Sequence, residues 1–294
     1  MKKILITGAK SFIGTSVELY LNKWPDKYKV DTLDMRKKSW RTYDFKGYDT
    51  VFHVAGIAHS DTRKISSDEK ARYKKVNTDL VIETAKKAQK DGVGQFIFMS
   101  SSIVYGETPR IGKKKVIAGY TIPEPDNYYG ESKLKAEEGL KRIEKEDETG
   151  SFKIAVLRPP MIYGKNCKGN YPLLSKLAGK LAFFPDAGNK RSVLYVENLA
   201  ELIRLIIDNN DAGLFFPQNS EYATTSDLVK NIRLSHGKKT HLIKGFTWAL
   251  KFLGLFSRKV NKAFGTCYYE QDMSTYRQEY RLVDLRESIR RTEL

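Results

Sequence analysis

A tyrosine and a lysine four residues apart, in Tyr129-Gly130-Glu131-Ser132-Lys133, have the types and spacing of an acid/base pair. On a helix, residues i and i+4 project from the same face, so the ammonium can lie beside the phenol. An adjacent cation favours the phenolate, so we expect Lys133 to lower the pKa of Tyr129 and Tyr129 to exchange protons with a substrate. Because the chain has 17 Tyr and 52 Lys plus Arg, a solvated Tyr/Lys helix face is the alternative interpretation of the pair alone.

A glycine-rich turn near the N-terminus indicates a second, phosphate-binding site. A short apolar strand over residues 3–6 runs into the segment TGAKSFIG, and an amphipathic helix is predicted over residues 15–23. In a dinucleotide fingerprint the first glycine makes the turn, the last lets helix and strand pack closely, and the helix N-terminus presents N–H groups to a pyrophosphate. A serine stands at the usual middle glycine, where its hydroxyl could bind a phosphate oxygen. The predicted cofactor contacts here are Gly8, Ser11, Phe12, Ile13 and Gly14.

The next strand, predicted over residues 29–33, ends in Asp34, which lies about 20 residues after Gly14. A carboxylate at this position accepts hydrogen bonds from the adenosine ribose and repels a 2′-phosphate, so Asp34 favours NAD over NADP. Arg36, two residues later, weakens that inference because a guanidinium suits a 2′-phosphate.

Alternating strands and helices continue and predict an α/β fold with a doubly wound parallel sheet, the Rossmann arrangement. A buried strand over 49–54 leads into small residues up to Ala58, a helix over 67–90 places Asn77 inward, and a strand over 95–99 ends at three serines. Because ligands bind at the carboxyl ends of such strands, the further predicted cofactor contacts are Ala55, Gly56, Asn77 and Ser100.

The second half of the chain is expected to add a smaller domain. A proline-containing loop over 106–127 precedes the Tyr129 helix, which is predicted to run to about residue 149, and a strand follows over 153–157. The remainder from 214 is predicted to be less regular and aromatic-rich. We therefore assign 1–163 and 191–213 to the dinucleotide-binding domain, and 164–190 and 214–294 to a substrate-binding cap domain.

Composition excludes several classes of protein. With 294 residues, 40% apolar and 30% charged, the chain is globular, and no apolar run approaches the ~18 residues of a membrane span, so a cytoplasmic location is expected. Two cysteines without CxxC spacing and four scattered histidines, His59 among them, predict neither a disulfide framework nor a metal site. The net charge of +17 is dispersed and no nucleic-acid module is legible, so it favours an anionic small substrate or an anionic membrane surface.

The ordered segments TGAKSFIG, VFHVAG, FIFMSSSIVYG, YYGESK, LRPPMIYG and RSVLYVENLA together resemble the extended short-chain dehydrogenase/reductase family. The similarity is to its sugar-nucleotide epimerase/dehydratase branch, which includes UDP-glucose 4-epimerases. It implies catalytic roles for Ser101, Tyr129 and Lys133, with Tyr129 and Lys133 also touching NAD. It further implies a cofactor contact at Pro159 and substrate contacts at Ser101, Ser102, Asn170 and Arg191, the last on the substrate diphosphate.

The resemblance also excludes reactions. Dehydratases of this branch use an acidic residue immediately before the Val of VYG, and 3,5-epimerising reductases use a cysteine, whereas this chain has Ile103. Met161 stands where the family often has an asparagine that contacts the diphosphate region. Two reactions remain, which are 4-epimerisation and one-way reduction of a 4-keto sugar nucleotide.

The predicted function is therefore an NAD-dependent 4-epimerase of a UDP-hexose or UDP-N-acetylhexosamine, in the service of polysaccharide biosynthesis. The alternatives are an NAD(P)H-dependent 4-ketoreductase of a 6-deoxy-4-keto sugar nucleotide and a non-catalytic dinucleotide-binding sensor. Such a sensor would have no need of the serine, tyrosine and lysine together.

Two further expectations concern surfaces. The helices over 67–90 and 129–149 are expected to pair two copies into a homodimer, with a monomer as the alternative because both helices carry many lysines. The basic, aromatic segment 244–265 is expected to form the core of the cap domain, and peripheral association with an anionic membrane is its alternative role.

Overall fold

A computed structural model describes residues 1–57 and 65–294 of the chain, so Ala58 and His59 lie outside the described residues. The chain divides into two compact units. The first comprises Met1–Gly106, Ile122–Pro159 and Ala200–Pro217, and the second Glu107–Thr121, Pro160–Leu199 and Gln218–Leu294. None of the helices in the described part of the chain is long and apolar enough to cross a bilayer.

The elements are numbered in chain order. The strands are β1 (Lys2–Thr7), β2 (Tyr28–Leu33), β3 (Thr50–His53), β4 (Gln95–Met99), β5 (Lys114–Ile117), β6 (Lys153–Leu157), β7 (Met161–Tyr163), β8 (Phe183–Pro185), β9 (Val193–Tyr195), β10 (Gly213–Phe215), β11 (His241–Ile243) and β12 (Thr266–Tyr269). The helices are α1 (Phe12–Leu21), α2 (Ser67–Lys74), α3 (Leu80–Lys90), α4 (Tyr128–Glu146), α5 (Asn170–Lys180), α6 (Val196–Asn209), α7 (Thr225–Ser235), α8 (Thr247–Phe256), α9 (Arg258–Phe264) and α10 (Leu285–Glu293).

The first unit is built on a parallel sheet, six-stranded within the described ranges, with strand order β10-β6-β4-β3-β1-β2. The inner strands are continuous apolar runs such as QFIFM in β4, every residue of which is buried, as expected for a sheet covered on both faces. The chain passes from the β2 edge to β3 on the other side of β1, so the topological switch point lies between β1 and β3. The predicted α/β fold with a doubly wound parallel sheet is confirmed.

The predicted helix over 67–90 forms as α2 and α3 with a π-helical turn, Lys75–Asp79, between them. Single π turns inside helices are rare and frequently mark functional sites. Here the turn carries Asn77, which is fully buried as expected.

The second unit is more regular than predicted. The expectations of a structureless loop over 106–127 and of an irregular end from 214 are wrong, because β5 pairs in parallel with β12, and α7 to α10 follow residue 214. The partners β5 and β12 lie about 150 residues apart, and local sequence carries no signal of so distant a pairing.

The two compact units differ from the predicted domain boundaries at four places. Residues 107–121, 160–163 and 191–199 fall in the second unit, where β5 pairs with β12 and β7 pairs with β9. Residues 214–217 belong to the first unit because β10 pairs with β6 at the sheet edge.

Candidate active site

The start of α4 is fixed by Asn127 and Gly130. Asn127 caps the helix, its Oδ1 accepting from the Gly130 N–H at 2.9 Å. A Cβ on Gly130 would lie 2.8 Å from the carbonyl oxygen of Ile103, so only glycine lets the helix approach this closely. Gly130 was missed as a functional residue, although its place between Tyr129 and Ser132 in a first helical turn is a signal for close backbone approach.

This approach brings Tyr129 near Ser101, whose side chain lowers the pKa of the tyrosine. Ser101 follows the carboxyl end of β4 and caps a short 3₁₀ turn, Ser102–Tyr105, its Oγ accepting from the Ile103 N–H at 3.3 Å. The structure thus joins two of the three predicted catalytic side chains at an edge of the sheet where ligands bind in this architecture.

Lys133, the third predicted catalytic residue, is only 5% exposed. Its Nζ donates to the Met99 carbonyl oxygen at 2.8 Å and lies 4.7 Å from the centre of the Phe98 ring. Burial lowers the pKa of Lys133 to about 8, and the charge of Glu137 opposes that shift. The ammonium is therefore held at the end of β4 and remains mostly protonated at pH 7.

The expectation that the pKa of Tyr129 is lowered is wrong for the chain by itself. Burial raises the pKa of Tyr129 to about 12, and the nearby Ser101 side chain offsets only part of that rise. Because the Lys133 ammonium is engaged by Met99 and Phe98, its presence one turn along does not reverse the cost of burying a phenolate. Tyr129 is thus a proton donor at neutral pH, and acting as a base requires a further positive charge close to its hydroxyl.

Behind these residues lies a buried ion pair that was not predicted. Glu137, one turn beyond Lys133, accepts from Arg158 Nε at 3.1 Å and from a terminal Arg158 nitrogen at 2.5 Å, and both side chains are 8% exposed. The Ser100 hydroxyl also donates to Glu137, and Arg158 donates to the Tyr105 hydroxyl at 2.6 Å. Ser100, a predicted cofactor contact, thus uses its hydroxyl inside the protein. The sequence contained one signal for this ion pair, because Glu137 stands four residues after Lys133 on a helix face that also carries apolar residues.

The predicted pyrophosphate turn has the backbone that a dinucleotide requires. Gly8 has φ +106°, and a Cβ there would lie 2.8 Å from the backbone nitrogen of Ala55, which places β1 and β3 in close contact at the switch point. A Cβ on Gly14 would lie 3.2 Å from the Gly8 carbonyl oxygen. Ser11 caps α1, and its Oγ accepts from the Gly14 N–H at 3.1 Å, so its hydroxyl proton points away from that N–H. The N-terminus of α1, beginning at Phe12 and Ile13, suits a pyrophosphate.

Asn77 joins the end of β3 to α4. Its Oδ1 accepts from the Ile57 N–H at 2.9 Å, and its Nδ2 donates to Ser132 Oγ at 3.3 Å. A Cβ on Gly56 would lie 3.2 Å from Asn77 Oδ1 and 3.6 Å from Lys133 Nζ. Asn77 therefore fixes the loop of Gly56 beside Lys133, which makes it a positioning residue for the predicted cofactor surface.

Asp34 and Arg36 form an exposed, bidentate pair. Arg36 donates through Nε to Asp34 Oδ1 at 2.9 Å and through a terminal nitrogen to Oδ2 at 2.8 Å. The hydrogen bonds from Arg36 hold the pKa of Asp34 well below its usual range, so the carboxylate is charged at neutral pH. A permanent negative charge at the end of β2 suits a ribose diol and repels a 2′-phosphate.

Replacing Asp34 with serine should therefore move cofactor preference toward NADP. Without the carboxylate, the retained Arg36 can pair with a 2′-phosphate, and we expect the NADP/NAD ratio of binding constants to rise about 10–100-fold. Fluorescence titration of both cofactors measures the ratio, and Asp34→Ser combined with Arg36→Ala is the matched control that should lose the gain. An unchanged ratio in Asp34→Ser would contradict the assignment of Asp34 to the ribose.

The remaining predicted substrate contacts lie on several elements. In the first unit, the Ser102 N–H donates to the Pro159 carbonyl oxygen at 2.9 Å, which fixes both backbones. In the second unit, Asn170 is exposed at the start of α5. Arg191 donates to the carbonyl oxygens of Lys262 at 2.6 Å and Ala263 at 3.2 Å, and its burial lowers its pKa.

Within the described residues, no group of three or more His, Cys, Asp or Glu side chains is arranged to hold a metal ion. His53, for example, is fully buried beside the rings of Phe96 and Phe98, and its Nδ1 lies 2.8 Å from Thr7 Oγ1.

A doubly wound parallel sheet with a glycine turn at its switch point is the architecture of a dinucleotide-binding protein. The chain belongs to the NAD dependent epimerase/dehydratase family, whose sequence model matches residues 4–215. The predicted resemblance is thereby confirmed, and the chain is an NAD-dependent enzyme of the epimerase type.

Three known proteins illustrate the similarity. A UDP-glucose 4-epimerase from Vibrio cholerae is 30% identical over 292 residues, covering 90% of this chain and 86% of the relative. An N-acetyl-α-D-glucosaminyl-diphospho-ditrans,octacis-undecaprenol 4-epimerase from Escherichia coli O157:H7 is 30% identical over 224 residues, covering 71% of this chain and 64% of the relative. The crystal structure of a UDP-glucuronic acid 4-epimerase from Bacillus cereus in complex with NAD has the same fold, with a TM-score of 0.74 at 20% identity over 99% of this chain and 95% of that chain.

Proposed function

We propose that the protein is an NAD-dependent 4-epimerase of a UDP-hexose or UDP-N-acetylhexosamine that works through a 4-keto intermediate. The observation that carries the proposal is the placing of Tyr129 near Ser101 at the end of β4, with the buried Lys133 one turn further along α4. Ile103, in the turn that follows Ser101, offers no side chain for proton exchange at a second carbon, so the chemistry is confined to one carbinol.

The cofactor residues fit NAD, which when bound supplies the acceptor and donor of the C4 hydrogen. The N-terminus of α1, between Gly8 and Gly14, would bind the pyrophosphate, Asp34 would accept from the ribose hydroxyls, and Lys133 with the Gly56 loop would lie on the nicotinamide side. Pro159 and the backbone of Ala55 would complete the predicted cofactor-binding surface.

The protein's own residues then handle the substrate proton. Ser101 orients the 4-hydroxyl, and Tyr129 accepts its proton when C4 is oxidised and returns it when C4 is reduced. Since burial raises the pKa of Tyr129 to about 12 and Lys133 by itself does not reverse that rise, the oxidising half requires a further positive charge near the phenol, which bound NAD in its oxidised form would supply. Rotation of the 4-keto sugar between the two halves inverts C4.

Incubation with UDP-glucose, UDP-galactose and their N-acetyl forms tests the proposal. With NAD far below the substrate concentration, we expect interconversion of a 4-epimer pair, because each turnover returns the cofactor to its starting state. Turnover only with a 4-keto sugar and stoichiometric NAD(P)H would establish the 4-ketoreductase instead. Cofactor binding without turnover of any of these would indicate the sensor.

A second candidate substrate is the same sugar carried on a polyprenyl diphosphate. It is the kind of substrate named for the Escherichia coli relative, and the exposure of Trp248 (71%) and Phe256 (79%) on α8 favours it, since a lipid-linked sugar is reached at a membrane. Supplying the sugar on a prenyl diphosphate in detergent and comparing kcat/KM with the UDP-sugar decides between them.

We further propose a cytoplasmic homodimer. Cys167 and Cys267 are both free, as expected in a reducing compartment, and α2, α3 and α4 offer the outer helices for a two-fold contact. Light scattering at micromolar concentration checks the assembly, and a particle of the chain mass, 33.7 kDa, would contradict the dimer.

A further inference from the structure

Helix α8 exposes a stripe of large apolar side chains. Trp248, Phe252, Leu255 and Phe256 lie at positions i, i+4, i+7 and i+8, and they are 71%, 59%, 60% and 79% exposed. The opposite side of the helix carries the buried residues, Leu250 and Gly254. The expectation that this segment forms the core of the cap domain is therefore wrong for α8, because its bulkiest residues point away from the unit to which it belongs.

The stripe is held in place by the small face of the helix. A Cβ on Gly254 would lie 2.6 Å from Asn261 Oδ1, and Asn261 also accepts from the Ile111 N–H at 3.1 Å. The Phe252 and Phe256 rings pack against each other with their centres 5.4 Å apart. α8 is thus held through the face that carries Gly254, and its aromatic side chains point outward. A core-forming helix would instead bury its aromatic side chains.

The stretch of sequence that contains this stripe carries charge of one sign. Residues 228–269 contain nine lysines and arginines and no aspartate or glutamate, so they hold more than half of the net charge of +17. Lys244, Lys251, Arg258 and Lys259 in this segment are all exposed. Outward Trp, Phe and Leu flanked by Lys and Arg is the composition of a helix that lies in a membrane interface and contacts anionic headgroups.

We propose that α8 is a membrane-docking helix that lies on an anionic lipid bilayer. Trp248, Phe252, Leu255 and Phe256 enter the boundary between headgroups and acyl chains, and the flanking cations contact the headgroup phosphates. A second copy of the chain is a poorer occupant, because a two-fold contact places the same surface on both sides and would bring two acid-free basic segments together.

The docking helix is connected to the predicted diphosphate site. Arg191, which the family resemblance assigns to the substrate diphosphate, donates to the carbonyl oxygens of Lys262 and Ala263 in α9, directly after α8. An enzyme docked through α8 therefore holds Arg191 near the lipid surface, where a lipid-linked diphosphate sugar would present its phosphates. This step rests on the proposed function, whereas the docking of α8 does not.

Sedimentation with vesicles of phosphatidylglycerol or of phosphatidylcholine tests the docking. We expect binding to the anionic vesicles that weakens with added salt but persists in part, because apolar insertion is not screened. Leu255→Ala should weaken binding several-fold and Trp248→Ala with Phe256→Ala at least about tenfold, whereas the matched control Leu282→Ala, also 60% exposed, should have no effect. Lys251→Glu should weaken binding about fivefold or more, with Lys141→Glu as its control.

Tryptophan fluorescence gives an independent reading. Of the three tryptophans, Trp40 is buried at 1% exposure and Trp24 is half-buried, whereas Trp248 is 71% exposed. Vesicles should therefore shift the emission of Trp248 to the blue, and Trp248→Phe should abolish the shift. Absence of vesicle binding, or binding equal in the α8 variants and their controls, overturns the proposal. Loss of an oligomer in Trp248→Ala with Phe256→Ala, without any vesicle binding, would assign the stripe to a second copy instead.

The docking of α8 and the proposed function can be refuted independently of each other. Turnover of a soluble UDP-sugar should be unchanged in every α8 variant, because α8 contributes no residue to the Ser101–Tyr129 site. A wild-type protein that binds vesicles but epimerises no sugar would refute the proposed function and leave the docking intact.

Discussion

Replacing Tyr129 with phenylalanine should lower the kcat of sugar epimerisation by about 10²–10⁴-fold, the usual loss for a general acid/base. The change removes the hydroxyl near Ser101 and leaves the ring, whose centre lies 6.3 Å from the centre of the Tyr73 ring. The fold and NAD affinity should therefore be retained, as measured by circular dichroism and cofactor titration alongside steady-state kinetics.

Tyr128 provides the matched control, because it is the adjacent tyrosine on the same helix and its ring instead faces the Lys70 ammonium at 4.5 Å. Tyr128→Phe should keep near-normal turnover. Lys133→Met should lose turnover as Tyr129→Phe does, and its NAD affinity should also fall because Lys133 borders the Gly56 loop. If Tyr129→Phe retained most of its activity while Tyr128→Phe did not, the assignment of the proton-transferring residue would be refuted.

Replacing Arg158 with methionine should destabilise the protein by about 3–5 kcal/mol, the range for removing one partner of a buried ion pair. The Glu137 carboxylate, 8% exposed, would keep its hydrogen bond from Ser100 but lose its counter-charge in a desolvated position. Urea denaturation followed by circular dichroism measures the loss of unfolding free energy.

The double variant Glu137→Leu with Arg158→Met supplies the decisive control. It removes both charges together, so it should be more stable than Arg158→Met alone, since the cost lies in the unpaired charge. Lys135→Met, which breaks the exposed i,i+4 pair with Glu131, should change stability far less. A double variant at least as unstable as Arg158→Met would show that the loss comes from packing and not from the buried carboxylate.

Much of the structure of this protein could be predicted from local sequence patterns. The bounds of β4 and β6 were predicted correctly because each is a short apolar run with turn or polar residues beside it. Gly8, Gly14 and the Tyr129–Lys133 spacing were identified because a dinucleotide turn and an i,i+4 pair are set by the backbone conformation of a few adjacent residues. The α/β class followed from the order of such elements along the chain.

Tertiary structure decided everything that depends on neighbours distant in sequence. The pKa of Tyr129 is raised and not lowered, because burial is a sum over all surrounding atoms and outweighs one nearby cation. The Glu137–Arg158 pair, the pairing of β5 with β12 and the boundaries of the two units depend on contacts that no local pattern encodes. The same holds for α8, whose aromatic residues suit a core and a membrane surface equally by composition, so that only the packing of Gly254 and Leu250 determines which way they face.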